Sequence, residues 1–143
     1  MASTLALNGL GSTGKNFAWS CHYIEHELSA FYDVTHGAGL AVLTPSWMRY
    51  ILSEETVDKF CDYAATVWGF SSEEDKFTLA NRGIDATEAF FKRIGLPSTL
   101  TELGIDDTMF EIMAEKAVRV GFLQNAYVPL DEKDVVRILH MCL

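Results

Sequence analysis

The sequence predicts an all-α domain, several helices joined by short loops. Three observations carry this expectation. Apolar residues recur at helical spacing along most of the chain. Capping and stop residues bracket those stretches. Nothing after residue 50 alternates as a set of strands would. At 143 residues the length is that of one domain, enough to bury a substantial core.

Taken in order, "MASTLAL" (residues 1–7) is short and no more strand-like than helical. "CHYIEHELSAF" suits a helix, since only Tyr23 and Ile24 are weak formers. "YDVTHGAG" supplies a corner: Asp33 and Thr35 favour turns or caps, and Gly37 and Gly39 relax the backbone. Thr35 then caps a helix running into "LAVLTPSWMRYIL", where Pro45 either kinks it or restarts it with Thr44 as N-cap.

"SEETVDKFCDYAATVWG" places Val57, Phe60, Cys61, Ala64, Val67 and Trp68 on one stripe, with Ser53 as N-cap and Gly69 as stop. In "SSEEDKFTLANRGIDATEAFFKRIG", Ser72 with Asp75 resembles a capping box, Gly83 marks an irregularity, and Gly95 and Pro97 end the segment. "DDTMFEIMAEKAVRVG" carries Met109, Ile112, Met113, Ala117 and Val120, and Gly121 closes it. A last helix starts near Asp131 and carries Val135, Ile138, Leu139 and Cys142. The Met and aromatic stripes are assigned to the core.

Composition narrows the function. Apolar residues make up 49% and charged residues 22%, as in ordinary globular proteins. A net charge of −9 lacks the electrostatic footprint of a nucleic-acid binder and is repelled by an anionic membrane surface. No apolar run reaches the roughly 18–20 residues of a membrane span. Cys21, Cys61 and Cys142 are odd in number and widely spaced, which points to free thiols and a cytoplasmic location.

Two stretches suggest chemistry. "GLGSTGKN" (residues 9–16) fits a phosphate loop up to Lys15, but Asn16 stands where Ser or Thr would hold magnesium, and no buried strand precedes it. It is assigned to a solvated glycine-rich loop. "HYIEHELSAFYDVTH" (residues 22–36) holds three of the four histidines, together with Glu25, Glu27 and Asp33. His22 and His26, four apart, share a helix face, about 40° of rotation between them. His36 is fourteen positions after His22, about 21 Å away along an unbroken helix, so a shared site requires a turn. Ala30 stands where a zincin motif would need its second histidine. Two imidazoles meeting across such a corner make half of a zinc or iron site, which wants at least three protein ligands, so spacing alone leaves metal binding, acid–base chemistry and simple packing all open.

"HYIEHELSAFYDVTHGAGLAVLTPSWMRY" closely resembles the hallmark segment of iron-containing (group III) alcohol dehydrogenases, most of all their butanol dehydrogenase branch. All fixed positions of H-x-x-x-H-x-L-x-A-x-x-x-x-x-H-G are present, and "ASTLALNGL" and "VVRILHMCL" extend the likeness over essentially the whole chain. The resemblance implies that residues 1–143 form a single helical metal-binding domain, the C-terminal part of the dehydroquinate synthase-like/iron-containing alcohol dehydrogenase fold. It implies that His22 and His36 bind a divalent metal, Fe2+ or Zn2+, and that His26 lies beside metal and nicotinamide as a catalytic, cofactor-contacting residue. Glu25 and Glu27 are expected to be solvated or to sit behind the ligands and support them, rather than to bind the metal.

The implied activity is NAD(P)-dependent interconversion of primary alcohols and aldehydes, in a homodimer. Family members are more than twice this length, and their N-terminal α/β half supplies most of the dinucleotide site and an upstream D-x-x-x-H pair of ligands. That half is the implied partner, and the chain alone is expected to bind metal weakly and to be inactive. The competing reading is a non-catalytic helical module that associates with itself or with another chain through an apolar face.

Overall fold

The computed structural model describes residues 2–8, 10, 13–14, 18–71 and 73–143, and among them there is no strand. The helices are α1 (Ala2–Leu7), α2 (Ser20–Tyr32), α3 (His36–Ile51), α4 (Val57–Trp68), α5 (Lys76–Arg93), α6 (Phe110–Gly121) and α7 (Glu132–His140), with 3-10 turns at Thr101–Leu103 and Leu123–Asn125. The phosphate-loop-like stretch at residues 9–16 lies largely outside the described residues, Lys15 and Asn16 included.

α3 is the central element. It packs against α2, α5 and α7, while α2 also packs on α6, α6 on α7, and α4 pairs with α5. One core runs through all of these, with Ile24 and Leu28 of α2, Leu43 and Ile51 of α3, Phe60 of α4, Ile84 of α5, Phe110 and Met113 of α6 and Ile138 and Leu139 of α7. Polar links fix the orientation of α3. Arg49 donates to Asp85 (2.7 Å) and Glu88 (2.6 Å) of α5, and Tyr50 donates to Asp134 of α7 (2.6 Å).

Several local expectations hold. Gly69 closes α4 at φ +70, a left-handed conformation that glycine adopts without penalty. Asp131 caps α7 through a reciprocal capping box with Asp134, and Val135, Ile138, Leu139 and Cys142 are all buried.

Others are corrected. The helix expected from Ser53 starts at Val57: Ser53–Thr56 form a turn, because Thr56 Oγ1 accepts from Ser53 N–H (2.8 Å) and donates to the Ile51 carbonyl (2.7 Å). Asp75 itself is the N-cap of α5, accepting from Thr78 N–H at 3.0 Å, while Ser72 lies outside the described residues. Thr44 caps nothing. Its hydroxyl bonds back to the Leu40 carbonyl (2.7 Å), and α3 runs on through Pro45. α5 is unbroken at Gly83, where a Cβ would come within 2.8 Å of the Ala64 Cβ, so this glycine serves the close approach of α4 and α5. On α4, Val57, Phe60 and Ala64 are buried but Val67 is 57% exposed. On α6, Phe110 and Ala114 join Met113 and Ala117 inside, and Ile112 and Val120 turn outward.

Candidate functional site

The site is built at the corner between α2 and α3. Asp33 ends α2 in the left-handed region (φ 53), its N–H returning to the Ser29 carbonyl at 3.0 Å. Ser29 Oγ reaches the Val34 carbonyl (3.0 Å), tying the corner from inside. Thr35 then opens α3 through its carbonyl, which accepts from Ala38 (2.8 Å) and Gly39 (3.1 Å), while its side chain makes no capping bond. Three residues between two helices therefore fold His36 back over the His22–His26 face.

The geometry follows. The His36 ring centroid is 5.3 Å from that of His22 and 5.3 Å from that of His26. The turn predicted from Asp33 and Thr35 thus brings together all three histidines. Two aromatic edges hold the rings in place: Trp19 meets His22 edge-on at 4.7 Å, and Tyr23 meets His26 at 5.6 Å. Tyr23 is itself wedged against α6, since a Cβ at Gly121 would lie 2.6 Å from its Cβ and Cγ. Gly121 is therefore not the stop of α6. That role falls to Phe122 at φ 50, and the glycine makes room for the residue that backs His26. His140, the fourth histidine, stands apart on α7 against Phe110, centroids 5.1 Å apart.

His22 has its pKa lowered, first by desolvation and then by the neighbouring His36 and His26, which disfavour a further positive charge. It divides two clefts. One, about 370 Å³, is lined by Trp19, Cys21, His22, Thr44, Trp47 and Tyr127; the other, about 330 Å³, by Leu7, Trp19, His22, Tyr23 and His26. Burial pushes the Cys21 thiol up to about 12, so a thiolate nucleophile has no place in the first cleft.

Of the two places expected for Glu25, solvent is the one it does not take. Far from being solvated, it is fully buried, with Oε2 hydrogen-bonded to His36 Nδ1 and Oε1 accepting from Ser29 Oγ at 2.6 Å. Among the described residues, Glu25, His26 and His36 are the set whose ligand atoms all lie within 4.8 Å of one another, a group from which His22 is absent. Glu25 has both oxygens bonded by protein groups, whereas His22 and His26 line open clefts. Sequence reasoning left Glu25 between solvent and a supporting place, because helix spacing puts it off the His22–His26 line. Gly39 was the available signal, a position where a Cβ would fall 2.6 Å from Glu25 Oε1.

A helical domain carrying this three-histidine corner belongs to the Fe-containing alcohol dehydrogenase family, whose C-terminal domain matches residues 1–143. NADH-dependent butanol dehydrogenase A of Clostridium acetobutylicum is 48% identical over 138 residues, 96% of this chain and 36% of that protein. A probable NADH-dependent butanol dehydrogenase of Bacillus subtilis is 38% identical over 143 residues, 98% of this chain and 36% of its own length. Among solved structures, an NADH-dependent butanol dehydrogenase A from Thermotoga maritima superposes with a TM-score of 0.82 at 32% identity, over 97% of this chain and 36% of that one. The chain thus spans just over a third of the length of the relatives it matches.

Proposed function

We propose that this chain is the metal-binding domain of an NAD(P)-dependent alcohol dehydrogenase that interconverts primary alcohols and aldehydes. The observation that carries the proposal is the convergence of His22, His26 and His36 across the α2–α3 corner, centroids 5.3 Å from His36 to either partner. His22 and His36 are the metal ligands in this reading, and His26 is the catalytic residue that also contacts the nicotinamide.

The residues fit a divalent metal in part. Imidazole suits both Fe2+ and Zn2+, and the lowered pKa of His22 keeps its lone pair free at neutral pH. Two ligands are fewer than the three that such sites take from protein, so the rest of the coordination belongs to the α/β domain that completes the enzyme. When bound, the metal supplies Lewis acidity toward an alcohol or carbonyl oxygen, and the nicotinamide supplies or accepts the hydride.

This chain's own residues do the positioning. Trp19 and Tyr23 brace the imidazole edges, and the Trp47–Tyr127 cleft offers an apolar lodging for a short alkyl chain beside His22. His26, exposed at the second cleft, is placed to pass a proton between the bound oxygen and solvent. Three free cysteines support work in the reducing cytoplasm.

The test is NAD(P)H-dependent reduction of butanal, together with metal content, in the full-length enzyme. His22→Ala and His36→Ala are expected to lose metal and activity together, and His26→Ala to keep metal but lose activity by about 10²–10⁴-fold. Full activity in His36→Ala sinks the assignment.

One further observation supports association. Tyr63, Val67, Trp68, Phe90 and Phe91 line an apolar cleft of about 400 Å³ on α4 and α5, which carry none of the histidines. We place a homodimer contact here, to be checked by light scattering on the full-length enzyme. A monomer in solution refutes it.

A further inference from the structure

We infer that Glu25 is the positioning residue of the metal site, a buried carboxylate that fixes the tautomer and ring orientation of His36 without itself binding the metal. The inference rests on the proposed metal-binding reading and adds to it which histidine Glu25 holds and through which nitrogen.

Four observations converge. Glu25 has no exposed surface, whereas the His36 side chain is 45% exposed. An unpaired buried carboxylate is strongly disfavoured, so this one persists because both oxygens are bonded, Oε2 to His36 Nδ1 and Oε1 to Ser29 Oγ (2.6 Å). The helix opposite is cut back to receive it, since a Cβ at Gly39 would lie 2.6 Å from Oε1 and 2.7 Å from Cγ. Ser29 also ties the corner through the Val34 carbonyl (3.0 Å), so carboxylate, corner and histidine form one connected unit.

The chemistry follows from the hydrogen bond. An imidazole whose Nδ1–H is donated to a carboxylate keeps its lone pair on Nε2. That nitrogen lies across the ring, on the side away from the buried oxygen, and the ring cannot flip without stranding the carboxylate. The same bond makes Nε2 a better electron donor. Glu25 as a direct ligand would have to share oxygens already bonded to His36 and Ser29, in a pocket shaped for its present position.

Two measurements on the full-length enzyme test this. In metal-free wild-type protein at mildly alkaline pH, long-range nitrogen–proton NMR should show His36 as a single Nδ1–H tautomer. An Nε2–H tautomer there overturns the inference without any variant. For metal, Zn2+ affinity measured against a competing chelator should fall about 10–100-fold in Glu25→Gln, with helix content kept. Ser29→Ala, which leaves the Glu25–His36 bond in place, should keep the tautomer and lose less affinity. An affinity unchanged in Glu25→Gln, or lost as completely as in His36→Ala, counts against a positioning role. If wild-type protein binds no Zn2+ and His36→Ala alters nothing, it is the metal-site reading that fails, and the tautomer still decides whether Glu25 orients His36.

Discussion

His22, His26 and His36 share a motif, but their surroundings give them different properties. The pKa of His22 is lowered by desolvation and by its imidazole neighbours. In the metal-free protein the unfolded chain therefore takes up a proton at His22 before the folded one does. The sign follows: stability is unaffected well above the usual histidine pKa of about 6.5 and falls as pH drops below it toward the lowered folded value. Denaturant midpoints should decline over that window in wild type and less so in His22→Phe; an equal decline in both removes His22 as the cause. The histidine pattern itself was legible from spacing. Glu25 was not, because burial depends on what stands opposite, and Gly39 lies fourteen positions further on in a different helix.

At the scale of elements, helix types and order followed from apolar periodicity, and the starts and stops were less legible. Asp131 and Gly69 act as caps where their chemistry suggested, Asp75 caps α5 in place of the expected Ser72, and Ser53 lost to Thr56, whose hydroxyl found both a donor and an acceptor in the preceding turn. Glycines were the hardest to read. Gly83 and Gly121 suggested breaks and are contact points, because only the partner helix shows why a side chain is missing.

Gly121→Ala tests this. Pressing a methyl into Tyr23 should cost about 1–3 kcal/mol and, because Tyr23 abuts His26, broaden the His26 resonances. A variant as stable as wild type would mean that α2 and α6 slide apart freely. At the other end of the fold, the Asp131 carboxyl is held below its usual range by the backbone N–H of Asp134. That cap contributes above the ordinary carboxylate pKa and is lost as pH falls through the lowered one, so Asp131→Ala should flatten the acid limb of the stability curve. An unchanged acid limb leaves the cap without a role.

Across the whole molecule, a single core joins six of the helices, and Cys142 is sealed into it. Its thiol donates to the Ile138 carbonyl (3.1 Å), and burial pushes its pKa up to about 11. Alkylation of Cys142 should therefore report global unfolding, tracking the denaturant transition. Labelling of Cys142 at low denaturant would reveal that α7 opens on its own. The all-α class was legible at this scale because the stripes repeat along the chain. The exposure of Val67 and Ile112 was not, because a stripe says which residues are apolar and not how much of the arc its neighbours cover.

The three-residue corner carries a different consequence, for how such a chain can change over generations. Substitution has room at Thr35, which contributes only backbone, whereas the left-handed Asp33 admits few residues besides Gly and Asn. Length has no such room. One residue inserted between His22 and Asp33 would swing His22 by about 100° and shift it about 1.5 Å along the helix, off the face that His36 closes over. Lineages of this domain should therefore vary in letters only outside the three histidines, Glu25, Ser29 and the left-handed Asp33, while admitting neither insertion nor deletion across the segment.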